Sequence, residues 1–178
     1  MEVRQGANAR DVKGYDTERL RNDFLIQNLF PADDFKLVYS QIDRIIVGGC
    51  MPVNKELTLE AGSELKAAYF LERREMGIFN VGGNGSVIVD GTEYKFKYRD
   101  GLYIGMGSKE IKFKSEDSSK PLSSTLTQHQ HIRHILQYSL IQKRILRMSS
   151  SFSLVLLKDV ISVLTESIFY QVRSRHAS

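Results

Sequence analysis

Residues 86–98 of this chain read SVIVDGTEYKFKY. Two strand-like runs, 86–89 and 92–98, flank the dipeptide Asp90-Gly91, which favours a type I′ turn because both central residues of that turn need a positive φ. In the second run three aromatic residues alternate with two lysines, so the aromatic side chains should share one face of a strand and the lysines the other. The stretch therefore predicts a β-hairpin with one buried face.

Short apolar runs recur along the chain at the spacing typical of a β sandwich or small barrel. Outside the hairpin, the runs predicted as strands are 35–40, 43–47, 56–59, 67–71, 78–81, 102–104 and 110–114. A helix is predicted only at 16–28, where apolar residues have helical spacing and Thr17 is a candidate N-cap. The sequence therefore predicts a mostly β fold.

The glycine-rich stretch Gly82-Gly83-Asn84-Gly85 has two interpretations. Glycines let backbone amides approach a phosphate closely, but such a loop also needs a following Lys-Ser/Thr and a helix, and the sequence has neither there. A hairpin turn is the favoured interpretation.

The composition changes abruptly at Pro121. Residues 1–121 contain all 13 glycines and carry 18 Lys+Arg against 19 Asp+Glu, a net charge of −1. Residues 122–178 contain no glycine and carry 7 Lys+Arg against 2 Asp+Glu, a net charge of +5. The excess positive charge lies outside the predicted fold and is not read as a signal for nucleic acid or membrane binding. We therefore predict a folded domain over 1–121 and a separate tail over 122–178.

The sequence predicts a cytoplasmic location. Its first residues lack the apolar region of a secretory signal, and the most apolar run of the tail, 152–164, is shorter than the roughly 20 residues that a bilayer requires. Cys50 is the single cysteine and lies in an apolar run without a neighbouring His or acidic pattern. We predict that Cys50 is a buried structural thiol in a reducing compartment.

Residues 71–75, Leu-Glu-Arg-Arg-Glu, leave two alternatives open. Arg73 or Arg74 is a candidate for holding the carboxylate of a ligand, because a guanidinium binds carboxylates with two parallel hydrogen bonds. The other alternative, which the sequence alone favours, is a solvated or intersubunit ion-pair edge of a strand.

Five segments carry a family resemblance: 3–5 (VRQ), 20–25 (LRNDFL), 39–49 (YSQIDRIIVGG), 69–77 (YFLERREMG) and 99–105 (RDGLYIG). They resemble, in this order, the N-terminal half of the 5-keto-4-deoxyuronate isomerase family, also called 4-deoxy-L-threo-5-hexosulose-uronate ketol-isomerase. The resemblance covers residues 2–121. It implies that this part is a cupin-like barrel, the first of two in a cytoplasmic enzyme of pectin and uronate breakdown that assembles as a homo-hexamer.

The resemblance implies an aldose-ketose type isomerisation of a keto-uronate, 5-dehydro-4-deoxy-D-glucuronate. A ketol isomerase moves a proton through an enediol, so it needs a base and a Lewis acid or hydrogen-bond donor for the developing oxyanion. By resemblance, that Lewis acid is a zinc ion held by three histidines and a glutamate of the second barrel. Residues 1–121 contain no histidine, and 99–107 resembles a cupin motif that keeps its turn glycines without the metal-binding histidine.

From this resemblance we predict no catalytic residue and no metal ligand in the chain, and we assign no substrate-binding residue. The chain is predicted to be an isomerase by lineage and a truncated, inactive form of it. The alternative is a non-enzymatic, cupin-like sugar-acid binding or oligomerisation module. A nucleic-acid binder built on the basic tail is disfavoured, because the tail supplies charge without a predicted fold.

The resemblance stops after Pro121, where the family continues with a sequence of the type AKFYxNSxPAHTxYPT. Each shifted codon consists of the third base of one tail codon and the first two bases of the next. The shifted codons can encode most of the family sequence in the same order. For example, Pro121-Leu122 permits Ala and Ser123-Ser124 permits Phe. We predict that loss of one base near codon 121 makes 122–178 an out-of-frame tail that ends at an accidental stop. Such a tail would be disordered or spuriously helical.

One motif of the tail, His129-x-His131-x-x-His134, resembles a metal site, because neutral imidazole is a common zinc ligand. Under the frame hypothesis these histidines are accidental readings of another frame. We therefore predict that they do not converge on a metal ion.

Overall fold

The computed structural model describes residues 1–130 and 145–148, and this part of the chain is mostly β. Its helices are α1 (Thr17–Phe24) and two short 3₁₀ turns at Asp11–Gly14 and Ser63–Leu65. Its strands are β1 (Glu2–Arg4), β2 (Phe35–Ser40), β3 (Ile46–Cys50), β4 (Leu57–Thr58), β5 (Arg74–Asn80), β6 (Gly85–Val89), β7 (Thr92–Phe96), β8 (Gly101–Ile104), β9 (Ile111–Ser115), β10 (Ser124–Gln130) and β11 (Ile145–Met148).

These strands form two sheets. The larger sheet has the order β1-β2-β3-β10-β5-β8-β11 and is antiparallel except for the β1–β2 pair, and the smaller sheet has the antiparallel order β4-β9-β6-β7. Ile46, Ile78 and Leu102 of the larger sheet share one hydrophobic core with Val87 and Phe113 of the smaller sheet. The predicted mostly β sandwich is confirmed, because two sheets bury one apolar face each against the other.

The predicted hairpin is formed by β6 and β7. Val89 pairs with Thr92, and the two intervening residues, Asp90 and Gly91, have φ angles of 48° and 82°. A type I′ turn requires this pair of positive angles. Phe96 is buried as predicted, whereas β7 ends before Tyr98, whose side chain is exposed.

The helix begins and ends inside the predicted range. Its N-cap is Asp16, not Thr17, because the Asp16 carboxylate accepts a hydrogen bond from the Arg19 amide over 2.8 Å. None of the residues of α1 is buried. In the part of the chain that the structure describes, no helix has the length and apolar character needed to cross a membrane.

Three predicted strands differ from the structure. Residues 67–71 form turns and bends, and Phe70 and Leu71 are nevertheless buried, so this apolar run joins the core without pairing in a sheet. The strand predicted at 43–47 begins only at Ile46, because Asp43 and Arg44 have positive φ angles of 57° and 53° and form a turn. β5 begins at Arg74, four residues before the predicted start, because its polar inward residues interrupt the apolar pattern.

The glycine-rich stretch 82–85 is not a hairpin turn, contrary to the prediction. It connects β5 of the larger sheet to β6 of the smaller sheet. A Cβ atom on Gly83 would collide with the carbonyl oxygen of Lys120, while the Gly83 amide donates to the Pro121 carbonyl over 2.8 Å. Glycine is needed there because the segment before β10 passes directly against it.

The sheet continues past the predicted domain boundary at residue 121. β10 lies between β3 and β5 in the larger sheet, and Leu122 and Leu126 are fully buried. Residues 122–130 therefore differ from the disordered or helical tail that the sequence predicts, because their alternating pattern fits the gap between two strands. β11 pairs with β8. The remaining tail residues, 131–144 and 149–178, lie outside the described residues.

Candidate functional site

The candidate site lies at the first residue of β5. Side chains alternate along this strand, so Arg74, Met76, Ile78 and Asn80 are buried while the residues between them are half-buried. Met76, Ile78 and Asn80 carry apolar or neutral amide side chains, which are common at buried positions. Arg74 is the exception, because it brings a permanent positive charge into a position that is 9% exposed.

The contacts of the Arg74 guanidinium are with neutral groups. Its Nη1 donates to the backbone carbonyl of Arg44 over 2.7 Å and to Oε1 of Gln128 over 3.3 Å. Within residues 1–130 and 145–148, no carboxylate forms an ion pair with Arg74. The charge is hydrogen-bonded but not neutralised, which is unusual for a buried cation.

Two further contacts fix the orientation of the guanidinium. Its central carbon lies 5.3 Å from the centre of the Tyr39 ring, within the range of a cation–π interaction. Gln128 is fully buried, and its Nε2 donates to the Phe70 carbonyl over 3.0 Å, so its Oε1 is held toward Arg74. Sequence analysis missed both Tyr39 and Gln128, because neither belongs to a local motif with Arg74.

Arg73, the other predicted candidate, has a different environment. It is exposed, and its Nη2 donates to the Lys66 carbonyl over 2.9 Å. The preceding Glu72 accepts a hydrogen bond from the Ala68 amide over 2.6 Å. These contacts stabilise the loop before β5. Both interpretations of residues 71–75, a solvated or intersubunit ion-pair edge and carboxylate recognition, stay predictions.

Glu75 and Tyr103 pair on the opposite face of β5. The Tyr103 hydroxyl donates to Oε2 of Glu75 over 2.8 Å. Burial raises the pKa of Tyr103 well above its usual range, and the hydrogen bond to the Glu75 carboxylate raises it further. Tyr103 therefore remains a protonated donor at neutral pH. The carboxylate next to Arg74 in the sequence is directed to this tyrosine.

The inward-facing polar residues do not fit a zinc site. Zinc prefers imidazole, thiolate and carboxylate ligands, and Asp100 is the one carboxylate among the buried polar residues of the described part of the chain. Its Oδ2 accepts a hydrogen bond from the Lys97 amide over 3.0 Å. The other buried polar groups are the Cys50 thiol, the Asn80 and Gln128 amides, the Ser86, Ser108 and Ser124 hydroxyls and the Arg74 guanidinium. Cys50 is fully buried, as predicted, and burial raises the pKa of its thiol. Among the described residues, no group of three or more His, Cys, Asp or Glu side chains is placed to hold a metal ion.

The predicted histidine motif falls mostly outside the described residues. His129 lies on β10, where its backbone pairs with Glu75 of β5. His131 and His134 belong to the part of the tail that the structure does not describe.

The two packed sheets place the chain in the class of mostly β proteins. Solved structures found to be similar include a Cupin_2 domain of an XRE family transcriptional regulator from Enterobacter cloacae, at a TM-score of 0.43 and 11% identity, covering 56% of this chain and 97% of that one. Another is a cupin protein from Bacteroides fragilis, at a TM-score of 0.38 and 15% identity, covering 56% and 75%. No protein-family model matches the sequence.

Curated relatives identify the particular sequence family that the chain resembles. It is 58% identical over 121 residues to 4-deoxy-L-threo-5-hexosulose-uronate ketol-isomerase of Lachnoclostridium phytofermentans, which covers 68% of this chain and 44% of the relative. Proteins of the same name from Halalkalibacterium halodurans and Enterobacter sp. are 46% and 50% identical over 140 and 123 residues. The resemblance read from the sequence is therefore confirmed, and the chain spans about half the length of the curated relatives it matches.

Proposed function

We propose that residues 1–121 are the metal-free scaffold half of a 4-deoxy-L-threo-5-hexosulose-uronate ketol-isomerase acting on a keto-uronate. The proposal is based on the 58% identity over 121 residues to a protein of that name. The matched residues make up 44% of that protein's length. The buried polar groups around Arg74 and Cys50 do not form a zinc ligand set in the described part of the chain. This supports the assignment of metal binding to the other half of such an enzyme. By itself this chain would then lack isomerase activity.

We further propose that residues 122–178 are translated out of frame. The codon argument is supported by Ser124, which is fully buried and whose Oγ has no hydrogen-bond partner. If one base is restored near codon 121, residue 124 is encoded by the last base of the present Ser123 codon and the first two bases of the Ser124 codon. These three bases can encode Phe. An apolar residue at this core position would leave no side-chain polar atom unsatisfied, whereas the serine does.

The test compares two products of the gene. One is the chain as it stands, and the other is the product obtained after one base is restored at codon 121, with the DNA of codons 115–180 resequenced first. We expect the restored product to bind zinc stoichiometrically and to convert 5-dehydro-4-deoxy-D-glucuronate, and the present chain to do neither. Turnover by the present chain, or deep sequencing that places the tail in the native frame, would contradict the proposal.

The proposal extends to assembly and location. The family resemblance favours a homo-hexamer, and exposed apolar side chains of the N-terminal region supply a surface that an assembly would cover: Val3, Leu20, Phe24, Leu25 and Ile42. The single cysteine, buried and without a disulfide partner, is compatible with a reducing cytoplasm. Sedimentation of the purified chain, compared with the frame-restored product, measures the assembly directly.

A second candidate function is a non-enzymatic module that binds sugar acids. One observation favours it: Arg74 is a buried cation whose contacts within the described residues are neutral. The isomerase lineage and this binding function do not exclude each other, since an enzyme of uronates has to recognise a carboxylate.

A further inference from the structure

Arg74 has one unused edge. Its Nη1 makes both of its hydrogen bonds, and no hydrogen bond of the described residues involves Nε or Nη2. Arg74 as a whole is 9% exposed, and in the described part of the chain neither Nε nor Nη2 is among the fully enclosed side-chain atoms that lack a partner. These two nitrogens form one of the edges with which a guanidinium holds a carboxylate through two parallel hydrogen bonds.

The surroundings hold this edge in place before any ligand arrives. The Tyr39 ring restricts the plane of the guanidinium, and the Arg44 carbonyl and Gln128 Oε1 fix its other side. A preorganised guanidinium loses little conformational entropy when an anion binds. The guanidinium of Arg74 is therefore fixed in orientation, as in an anion-binding site, and is not a mobile surface cation.

Within the described residues, the carboxylates next to Arg74 in the sequence are directed elsewhere. Glu75 lies on the opposite face of β5 and accepts from Tyr103 over 2.8 Å. Glu72 accepts from the Ala68 amide in the preceding loop. A buried charge is costly without a counter-charge, and residues 1–130 and 145–148 supply none to Arg74, so an anion bound at this position would be stabilised.

We propose that the Nε–Nη2 edge of Arg74 binds the carboxylate of a uronic acid. This inference rests on the proposed sugar-acid function for the choice of a carboxylate over other anions. Gln128 contributes as a positioning residue, since it contacts Arg74 and not the ligand. Arg74 and Tyr39 belong to residues 1–121 and Gln128 belongs to the tail, so the chain as it stands supplies all three residues.

The experiment measures binding of D-galacturonate to the full chain by calorimetry, with D-galactose as the neutral control at equal ionic strength. We expect saturable binding of galacturonate and none of galactose. Arg74→Lys keeps the charge but loses the planar fork, and should weaken binding by about tenfold or more. Arg73→Lys is the matched control and should bind as the unchanged chain does, because Arg73 serves the loop before β5.

A second measurement avoids any dependence on the folding of the Arg74 variant. In the unchanged chain, the Nε–Hε resonance of Arg74, assigned through its backbone, should shift on titration with galacturonate and stay in place with galactose. Equal binding of both sugars, an unmoved Arg74 resonance, or equal loss of binding in the Arg73 variant would overturn the site. If the chain does not bind galacturonate but the frame-restored product is an active isomerase, only the Arg74 site is overturned. If the chain binds galacturonate but the frame-restored product has no isomerase activity, only the isomerase proposal is overturned.

Discussion

Leu126 of β10 lies directly opposite Ile78 of β5 in the antiparallel pair, and both side chains are fully buried. A residue of the divergent tail thus occupies the middle of the larger sheet. The consequence is that the stability of the folded part depends on sequence beyond Pro121, whatever the origin of that sequence.

Shortening Leu126 tests this dependence. Leu126→Ala should lower the free energy of unfolding by about 3 kcal/mol, because it removes buried methyl groups and leaves a cavity in the core. The measurement is chemical denaturation followed by circular dichroism. Thr127→Ala, at the neighbouring half-buried position, is the control and should cost well under half as much. Equal, small effects of both changes would mean that β10 does not insert in the sheet.

Removing the Ser124 hydroxyl should stabilise the chain. Ser124→Ala eliminates a buried oxygen without a partner and should raise the free energy of unfolding by about 1 kcal/mol. Ser115→Ala is the contrasting variant, because Ser115 Oγ donates to the Pro52 carbonyl and accepts from the Leu122 amide over 2.8 Å. That variant should lose about 1 kcal/mol or more. A loss of stability in Ser124→Ala would show that Oγ has a partner.

The hydrogen bonds of the Asp33 carboxylate should make the free energy of unfolding depend on pH in the acidic range. It accepts hydrogen bonds from the backbone amides of Val53 and Asn54 and from the Asn54 side chain, over 2.7 to 2.8 Å. These bonds, led by the Asn54 amide, lower the pKa of Asp33 from 3.8 to about 2. Because the folded pKa is the lower one, the stabilisation is complete above the unfolded value and is lost as the pH falls from about 4 through about 2.

Asp33→Asn removes the titrating group and should flatten this part of the pH profile. Melting temperatures of the two proteins should differ most at neutral pH and converge toward pH 2. Asn54→Ala, which deletes one donor to Asp33, should give an intermediate profile. A constant difference across the range would exclude Asp33 as the source.

Gly83 should not tolerate a side chain. Gly83→Ala forces a Cβ against the Lys120 carbonyl and should cost about 2 kcal/mol, because the backbone there cannot move without disturbing the entry to β10. Gly77→Ala is the matched control, since the nearest atom to its added Cβ is 4.0 Å away in the Phe79 ring. Thermal denaturation of both variants checks the prediction, and similar melting temperatures would contradict the close approach.

Local patterns predicted the elements that depend on neighbouring residues. The Asp90-Gly91 turn follows from the φ angles that such a turn requires, and Phe96 follows from alternation along β7. Prediction failed where a residue's environment is built by distant segments. The apolar run 67–71 is buried without pairing, and β5 was shortened in the prediction because Arg74 is polar yet points inward.

The sequence by itself determined the mostly β character, the lack of histidine in residues 1–121, and the resemblance to ketol-isomerases, because these follow from residue types, their spacing and their order. Only the tertiary structure decided that residues 124–130 enter the larger sheet and that Arg74 meets neutral partners. Those partners are the Arg44 carbonyl and Gln128, separated from Arg74 by 30 and 54 positions. The physical reason is that burial of a charge depends on which segments fold around it, and local sequence carries no record of groups so far apart along the chain.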